Sequence, residues 1–312
     1  MIRKANVEIV LQQIANTILL NVGKVHTIGL LDGKMGISLF LYHYAQINEN
    51  KVYRDFADEL LDEVFNGISV NTVSVNFSRG LTGIAWGIRY LTEKKFVDTD
   101  TDVLIDVDAF LRNIDPSSIL SDIVNECPFF SKGIYFIEKN DSELLKNMIN
   151  LLNNSLGKNT TILPLNYYNS ILYVILQGNL NLNMFADLLN TMYASMFNSI
   201  NYGHFFFLDV LNLKILLEQL KQKQDASFEY ERWISLLKSI NSDQVKGIFN
   251  TGIYNLIYNK IENDDSLILN KLETIDIVSH INTMIKDVYR NLNLYNGLAG
   301  VGLTLCNYLQ KF

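Results

Sequence analysis

Gly29-Leu-Leu-Asp-Gly-Lys-Met-Gly-Ile-Ser-Leu-Phe-Leu41 opens on glycines spaced for a tight turn and closes on an apolar run. A G-x-x-G pair, Gly33 and Gly36, sits where the turn becomes a helix. Glycine permits compact turns and close helix contacts at such a start. The run that follows is apolar on several sides, as a helix covered by other helices must be. The pattern recurs at Ser78-Arg-Gly-Leu-Thr-Gly-Ile-Ala-Trp-Gly-Ile88, with Gly80 and Gly83, and at Tyr295-Asn-Gly-Leu-Ala-Gly-Val-Gly-Leu-Thr-Leu305, with Gly297 and Gly300. Fainter copies are Phe130-Ser-Lys-Gly-Ile-Tyr-Phe136, Tyr168-Asn-Ser-Ile-Leu-Tyr-Val174 and Asn250-Thr-Gly-Ile-Tyr-Asn-Leu256. The weakest is Tyr202-Gly-His-Phe-Phe-Phe-Leu-Asp-Val-Leu211.

With Gly36, Gly83, Gly133, Ser170, Gly252 and Gly300 as equivalent points, the steps are 47, 50, 37, 82 and 48 residues. The step of 82 holds two units, and the weakest copy falls inside it. Seven units of about 45 residues span the chain, a period that marks a repeat architecture. Between the copies lie segments with a cleaner one-sided stripe. Tyr53, Phe56, Ala57, Leu60, Leu61, Val64 and Phe65 follow the i, i+3, i+4 rule, as do Met184 to Phe197 and Tyr230 to Ile240. Val7–Val22, Val103–Leu111, Leu144–Leu152 and Leu272–Leu292 complete seven. Seven covered helices alternate with seven one-sided helices. The simplest closed packing is an all-α fold, an α/α toroid with a double ring of seven inner and seven outer helices, forming one domain over residues 1–312. An open solenoid would need distinct polar caps, and both terminal units are ordinary. The inner helices are expected to begin near Gly33, Gly80, Ser131, Asn166, His204, Asn250 and Gly297, with Val7–Val22 packed beside the last of them.

Composition agrees with a helical globule. The chain has 312 residues, 48% hydrophobic and 19% charged, with only three prolines. A net charge of −7 argues against nucleic acid and anionic membrane as partners. Two cysteines, Cys127 and Cys306, are too few for a disulfide framework. Val7–Val22 is broken by Glu8, Gln12, Gln13, Asn16 and Asn21, so it reads as an amphipathic helix rather than an export signal. The expected location is the cytoplasm, with no membrane insertion.

The glycine-led helices at Gly29–Ala45, Phe77–Leu91 and Leu294–Leu305, with their number and spacing, resemble the lanthionine synthetase C-like family, the lantibiotic cyclases and their relatives. That resemblance implies the seven-plus-seven toroid. It also implies a zinc ion at the mouth, held by a cysteine of a Trp-Cys-Tyr-Gly motif at inner helix five and a Cys-His pair at inner helix six. A histidine of an Ala-His-Gly motif at helix four would act near the thiol. Zinc suits such a site because it lowers a thiol's pKa and holds the thiolate. The sequence departs from these motifs. Helix four opens with Leu165-Asn-Tyr-Tyr-Asn169, helix five with Asn201-Tyr-Gly-His204 and helix six with Ile248-Phe-Asn-Thr-Gly252, and no Cys-His dipeptide occurs anywhere. The resemblance therefore implies the fold without the metal, so neither zinc nor another cofactor is expected.

The candidate binding residues at the mouth are Asp32, Arg79, His204, Asn250 and Asn296, beside Lys34 and Lys132. Asp32 reads as an acid or a helix cap, Asn296 as a contact or a cap, and Arg79 as a grip for carboxylate or phosphate or as half of an ion pair. Tyr167, Tyr168, Tyr202, Tyr254 and Tyr295 read as an aromatic rim or as core. His26, His43 and His280 read as structural or solvated, and Cys306 as a small core residue. The five aspartates within Asp98–Asp108 read as a solvated helix start, since an EF-hand's glycine and glutamate are missing. Three functions remain open. The first is a zinc-free family member that binds a precursor peptide or a peptide-modifying enzyme. The second is an enzyme of glycoside hydrolase or lyase type using Asp32 and Asp209. The third is a cyclase with zinc relocated to Cys127 and His204.

Overall fold

The computed structural model describes residues 4–68, 74–98, 104–113, 135, 137, 141–156, 165–180, 186–200, 205–222, 229–240, 245–246, 277–288, 291–295 and 297–310. They are all-α, apart from one two-residue parallel pairing of β1 (Phe205–Phe206) with β2 (Val245–Lys246). The chain divides into two compact units, Met1–Arg112 with Ile248–Phe312, and Asn113–Gly247.

In the first unit, α1 (Lys4–Asn21), α3 (Lys51–Gly67), α5 (Ile105–Arg112) and α11 (Ile277–Lys286) bury one stripe each. In α1 the stripe is Val7, Val10, Leu11, Ile14, Ala15 and Ile18; in α3 it is Tyr53, Ala57, Leu60, Leu61 and Val64. The glycine-led α2 (Lys34–Asn48), α4 (Leu81–Glu93) and α12 (Leu298–Leu309) differ. Met35 to Tyr44 and Leu298 to Cys306 are buried without a break. A helix buried on every side must be surrounded, and α2 touches α1, α3, α4 and α12. As expected, α1 packs along α12, so the first and last repeats are neighbours.

Close approach is why these helices begin with glycine. A Cβ on Gly36 would strike the Leu30 carbonyl oxygen and reach Leu294 Cβ at 2.7 Å. One on Gly83 would strike the Phe77 carbonyl oxygen and lie 3.0 Å from Leu30 Cβ. Both positions are inside helices, so what glycine supplies is the missing side chain. Heavier side chains would push the loop of each repeat off its helix.

In the second unit, α6 (Ser142–Leu156), α7 (Leu165–Gln177), α8 (Ala186–Ile200), α9 (Phe207–Gln222) and α10 (Tyr230–Lys238) repeat the contrast. α7 is buried from Tyr168 to Leu176, whereas α8 buries a single stripe of Leu188, Leu189, Met192 and Met196 and exposes Phe197. α7 packs against α9, and α9 against α10. The helix expected near His204 is α9, which starts at Phe207 because Phe205 and Phe206 pair with the second strand first. The starts expected near Ser131 and Asn250 lie outside the described residues.

Candidate functional site: the glycine-loop mouth

Three loops meet at the N-terminal ends of α2, α4 and α12, and they share one construction. Lys34 N–H donates to Thr27 O (3.0 Å), Leu81 N–H to Ser74 O (2.8 Å) and Leu298 N–H to Asn291 O (2.5 Å). Each bond joins the first helical residue to a carbonyl seven positions earlier. Gly33, Gly80 and Gly297 are the N-caps, and no side chain caps any of the three helices. The orphan N–H groups of the first turn are thus spent on loop carbonyls.

Leu31 ties the three loops into one frame. Its N–H donates to Ser78 O (2.9 Å), and its carbonyl accepts from Leu294 N–H (3.0 Å) and Tyr295 N–H (2.9 Å). The first loop is therefore flanked by the second on one side and the last on the other. Leu30, Leu31 and Leu294 are buried beneath it. Asn76, also buried, accepts from Arg79 N–H at 2.8 Å and so shapes the second loop. Thr27 Oγ1 donates to Asp32 O at 2.8 Å and shapes the first.

On this rigid backbone Arg79 Nε donates to Asp32 Oδ2, so the second loop's cation bridges to the first loop's carboxylate. The Arg79 side chain is 64% exposed and that of Asp32 23%. Of the two readings open for Arg79, the ion pair is the one present. The cap reading of Asp32 gives way, because Gly33 holds the cap position without a side-chain bond. Lys34 leaves the mouth and pairs with Glu63 on α3. His204, Asn250 and Asn296 lie outside the described residues, as do Lys132, Tyr202, Tyr254 and Cys127. Tyr168 is buried in α7 and lines no rim.

The remaining candidates settle as structure. Cys306 is completely buried in α12, where desolvation raises its thiol pKa and favours the neutral form. His280 is exposed on α11 and His26 in the loop before α2. Asp106 and Asp108 stand in the first turn of α5, and Asp108 pairs with Arg89 at 3.7 Å. Asp209 is buried in α9, and its carbonyl accepts from Asn169 Nδ2 at 2.8 Å. His43 is buried within α2, its Nε2 hydrogen-bonded to Tyr90 Oη at 2.8 Å. Burial first, and the Lys94 charge second, push its pKa down to about 4. Among the described residues, no three His, Cys, Asp or Glu side chains gather where they could hold a metal ion.

The sequence motifs pointed to Asp32 and Arg79 but missed Asn76, Thr27 and Leu31, which hold them in place. Nothing in their types marked them, since their roles rest on backbone groups of other loops. No described helix is long and apolar enough to cross a membrane. The family model described as lanthionine synthetase C-like protein matches residues 24–174, just under half of the chain. No curated protein matches the sequence.

Proposed function

Since residues 24–174 belong to the lanthionine synthetase C-like family, we propose that this chain is a zinc-free member that binds a precursor peptide or a peptide-modifying enzyme in ribosomal-peptide modification. The observation that carries this is the pairing of exposed Arg79 with half-buried Asp32 on the Leu31-linked loop frame. Its charges sit on loops tied to one another by backbone hydrogen bonds, which lowers the ordering cost of docking a partner. Arg79 presents a planar donor fork suited to a peptide carboxylate, and Asp32 holds that fork in place through Oδ2.

The donor set supports a role without zinc. A catalytic zinc normally takes three protein ligands and keeps one open position. The openings of helices five and six supply Tyr202, His204, Phe249, Asn250 and Thr251, with one imidazole among them. Cys306 does not fit as a ligand, because its thiol is enclosed in α12 and burial favours its protonated form. We also propose that the seven pairs close into a single ring in the cytoplasm; the adjacency of the first and last glycine loops through Leu31 supports closure.

The test is partner capture with the full chain, using products of neighbouring genes as bait. Replacing Arg79 and Asp32 together, as Arg79→Gln/Asp32→Asn, should weaken binding at least tenfold while the melting temperature moves little, since an ion pair with one exposed partner is worth about 1 kcal/mol and the amide keeps the shape of the half-buried Asp32. Failure of every neighbouring product to bind counts against the reading. Stoichiometric zinc in protein purified without chelator, with ring closure on a dehydrated peptide by the chain alone, overturns it.

A further inference from the structure

At the opposite ends of α2 and α4 from the glycine loops lies a cavity of about 310 Å³, completed by the N-terminal turn of α3. We propose that this cavity binds a small phosphate-bearing ligand. Lys51, Arg54, Lys94 and Lys95 line it, against a single lining carboxylate, Glu49. The whole chain carries a charge of −7, so this concentration of cations runs against its balance.

The cations are not used up by neighbours. Lys51 is offset by Asp55 at 3.9 Å, and Asp58 on the same helix accepts the Tyr42 hydroxyl at 2.5 Å. Arg54 spends one Nη2 contact on the Phe96 carbonyl, at 2.6 Å. Lys94 and Lys95 make no ion pair among the described residues; Lys94 Nζ stands 5.9 Å from the Tyr90 ring centre. The C-terminal ends of α2 and α4 bring about −0.5 charge each and the N-terminus of α3 about +0.5. Set against Glu49, Asp55 and Asp58, the four cations leave a surplus of about one positive charge, which the net half charge of the helix ends reduces but does not cancel.

The backbone places side chains here at a cost. α4 ends with Lys95 N–H donating to Thr92 O and Phe96 N–H to Leu91 O, and Lys95 at φ 58°. Glycine is the usual occupant of such a left-handed position after a helix. Glu49, which follows α2, is left-handed too, at φ 54°. Both positions carry long charged side chains, and both line the cavity. The same turn swings Phe96 inward, where it stacks on Tyr42 with ring centres 5.7 Å apart. The result is a cationic rim standing over two buried aromatic rings. Ammonium and guanidinium groups from α3 and from the turn after α4 suit a dianion better than a lone carboxylate.

Calorimetric titration of the full chain with inorganic phosphate and with a nucleoside monophosphate tests the site. Saturable binding is expected, weakening as salt rises, and falling at least tenfold in Lys94→Gln/Lys95→Gln. Both lysines are exposed, so the ligand-free melting temperature should stay unchanged. Lys51→Gln should weaken binding less, and Lys214→Gln, on the second unit's surface, should leave it unaltered. Tighter binding of the nucleotide identifies a phosphorylated organic ligand; equal binding of both identifies the free anion. No saturable binding at millimolar concentration, or equal affinity in wild type and the double variant, overturns the proposal. Because the Asp32/Arg79 variant leaves this cavity intact, its phosphate binding separates failure here from failure of the peptide-binding reading.

Discussion

Gly36 shows how one missing methyl group organises the fold. Alanine is favoured over glycine inside a helix by about 1 kcal/mol. At Gly36 that gain meets the Leu30 carbonyl and Leu294 Cβ, backbone and core that have no room to retreat. Overpacking costs typically about 1–3 kcal/mol, and contact with a fixed carbonyl belongs at the upper end. Gly36→Ala should therefore lower unfolding free energy by about 1–2 kcal/mol in urea titrations. Gly23→Ala, where a Cβ meets nothing within 4 Å, should stay within about 0.5 kcal/mol of wild type.

His43 predicts a pH dependence at the same scale. Its pKa is about 4 when folded, against an ordinary value of 6.5. Above pH 6.5 both states are neutral and the residue costs nothing. As pH falls through 6.5 the unfolded chain binds a proton that the folded chain refuses, so stability drops until about pH 4. Between pH 7 and pH 5 the loss from this residue is on the order of 2 kcal/mol. His43→Gln should flatten that part of the profile in denaturant midpoints measured at both pH values. An unchanged slope would mean that other groups govern acid sensitivity.

At the scale of elements, α3 is the outer helix whose start is best defined. The Asn50 side chain accepts from Val52 N–H at 3.0 Å, a cap on the first turn. Removing it with Asn50→Ala should cost about 1 kcal/mol, read as a lower melting temperature with unchanged helix content. The stripe from Tyr53 to Val64 was legible because one face is buried and the period of 3.6 shows through. The inner helices were legible for the opposite reason. Their glycines and unbroken apolar runs record close neighbours on all sides. The short strands at Phe205–Phe206 and Val245–Lys246 were not legible. Two residues of pairing leave no alternation to read, and the start of α9 moved from the expected His204 to Phe207 with them.

At the scale of the molecule, α1 closes one flank of α12. It commits Val7, Val10, Leu11, Ile14, Ala15, Ile18 and the following Val22 to the core. Losing one large core side chain costs on the order of 2–5 kcal/mol, and a domain holds only about 5–15 kcal/mol. Deleting residues 1–22 should therefore unfold the first unit rather than fray one end. A soluble deletion that melts cooperatively at the wild-type temperature would contradict this.

The repeat period, the helix class and the alternation of covered and one-sided helices were readable from residue order, because burial imposes a period on composition. The neighbourhood of the first and last repeats followed from the ordinary look of both terminal units. Asp32 and Arg79 were legible as polar residues at helix starts, but their union was not. They are forty-seven positions apart in sequence, and the tertiary contacts of Leu31 with Ser78 and of Gly29 with Arg79 bring their loops edge to edge. The same holds for Lys34, which sequence placed at the mouth and packing turned toward Glu63. Lys51, Arg54, Lys94 and Lys95 gave no signal at all, since each alone is an ordinary surface cation. Local order records which faces are dry; which charges meet is decided by how helices and their end turns stack, and no local pattern carries that.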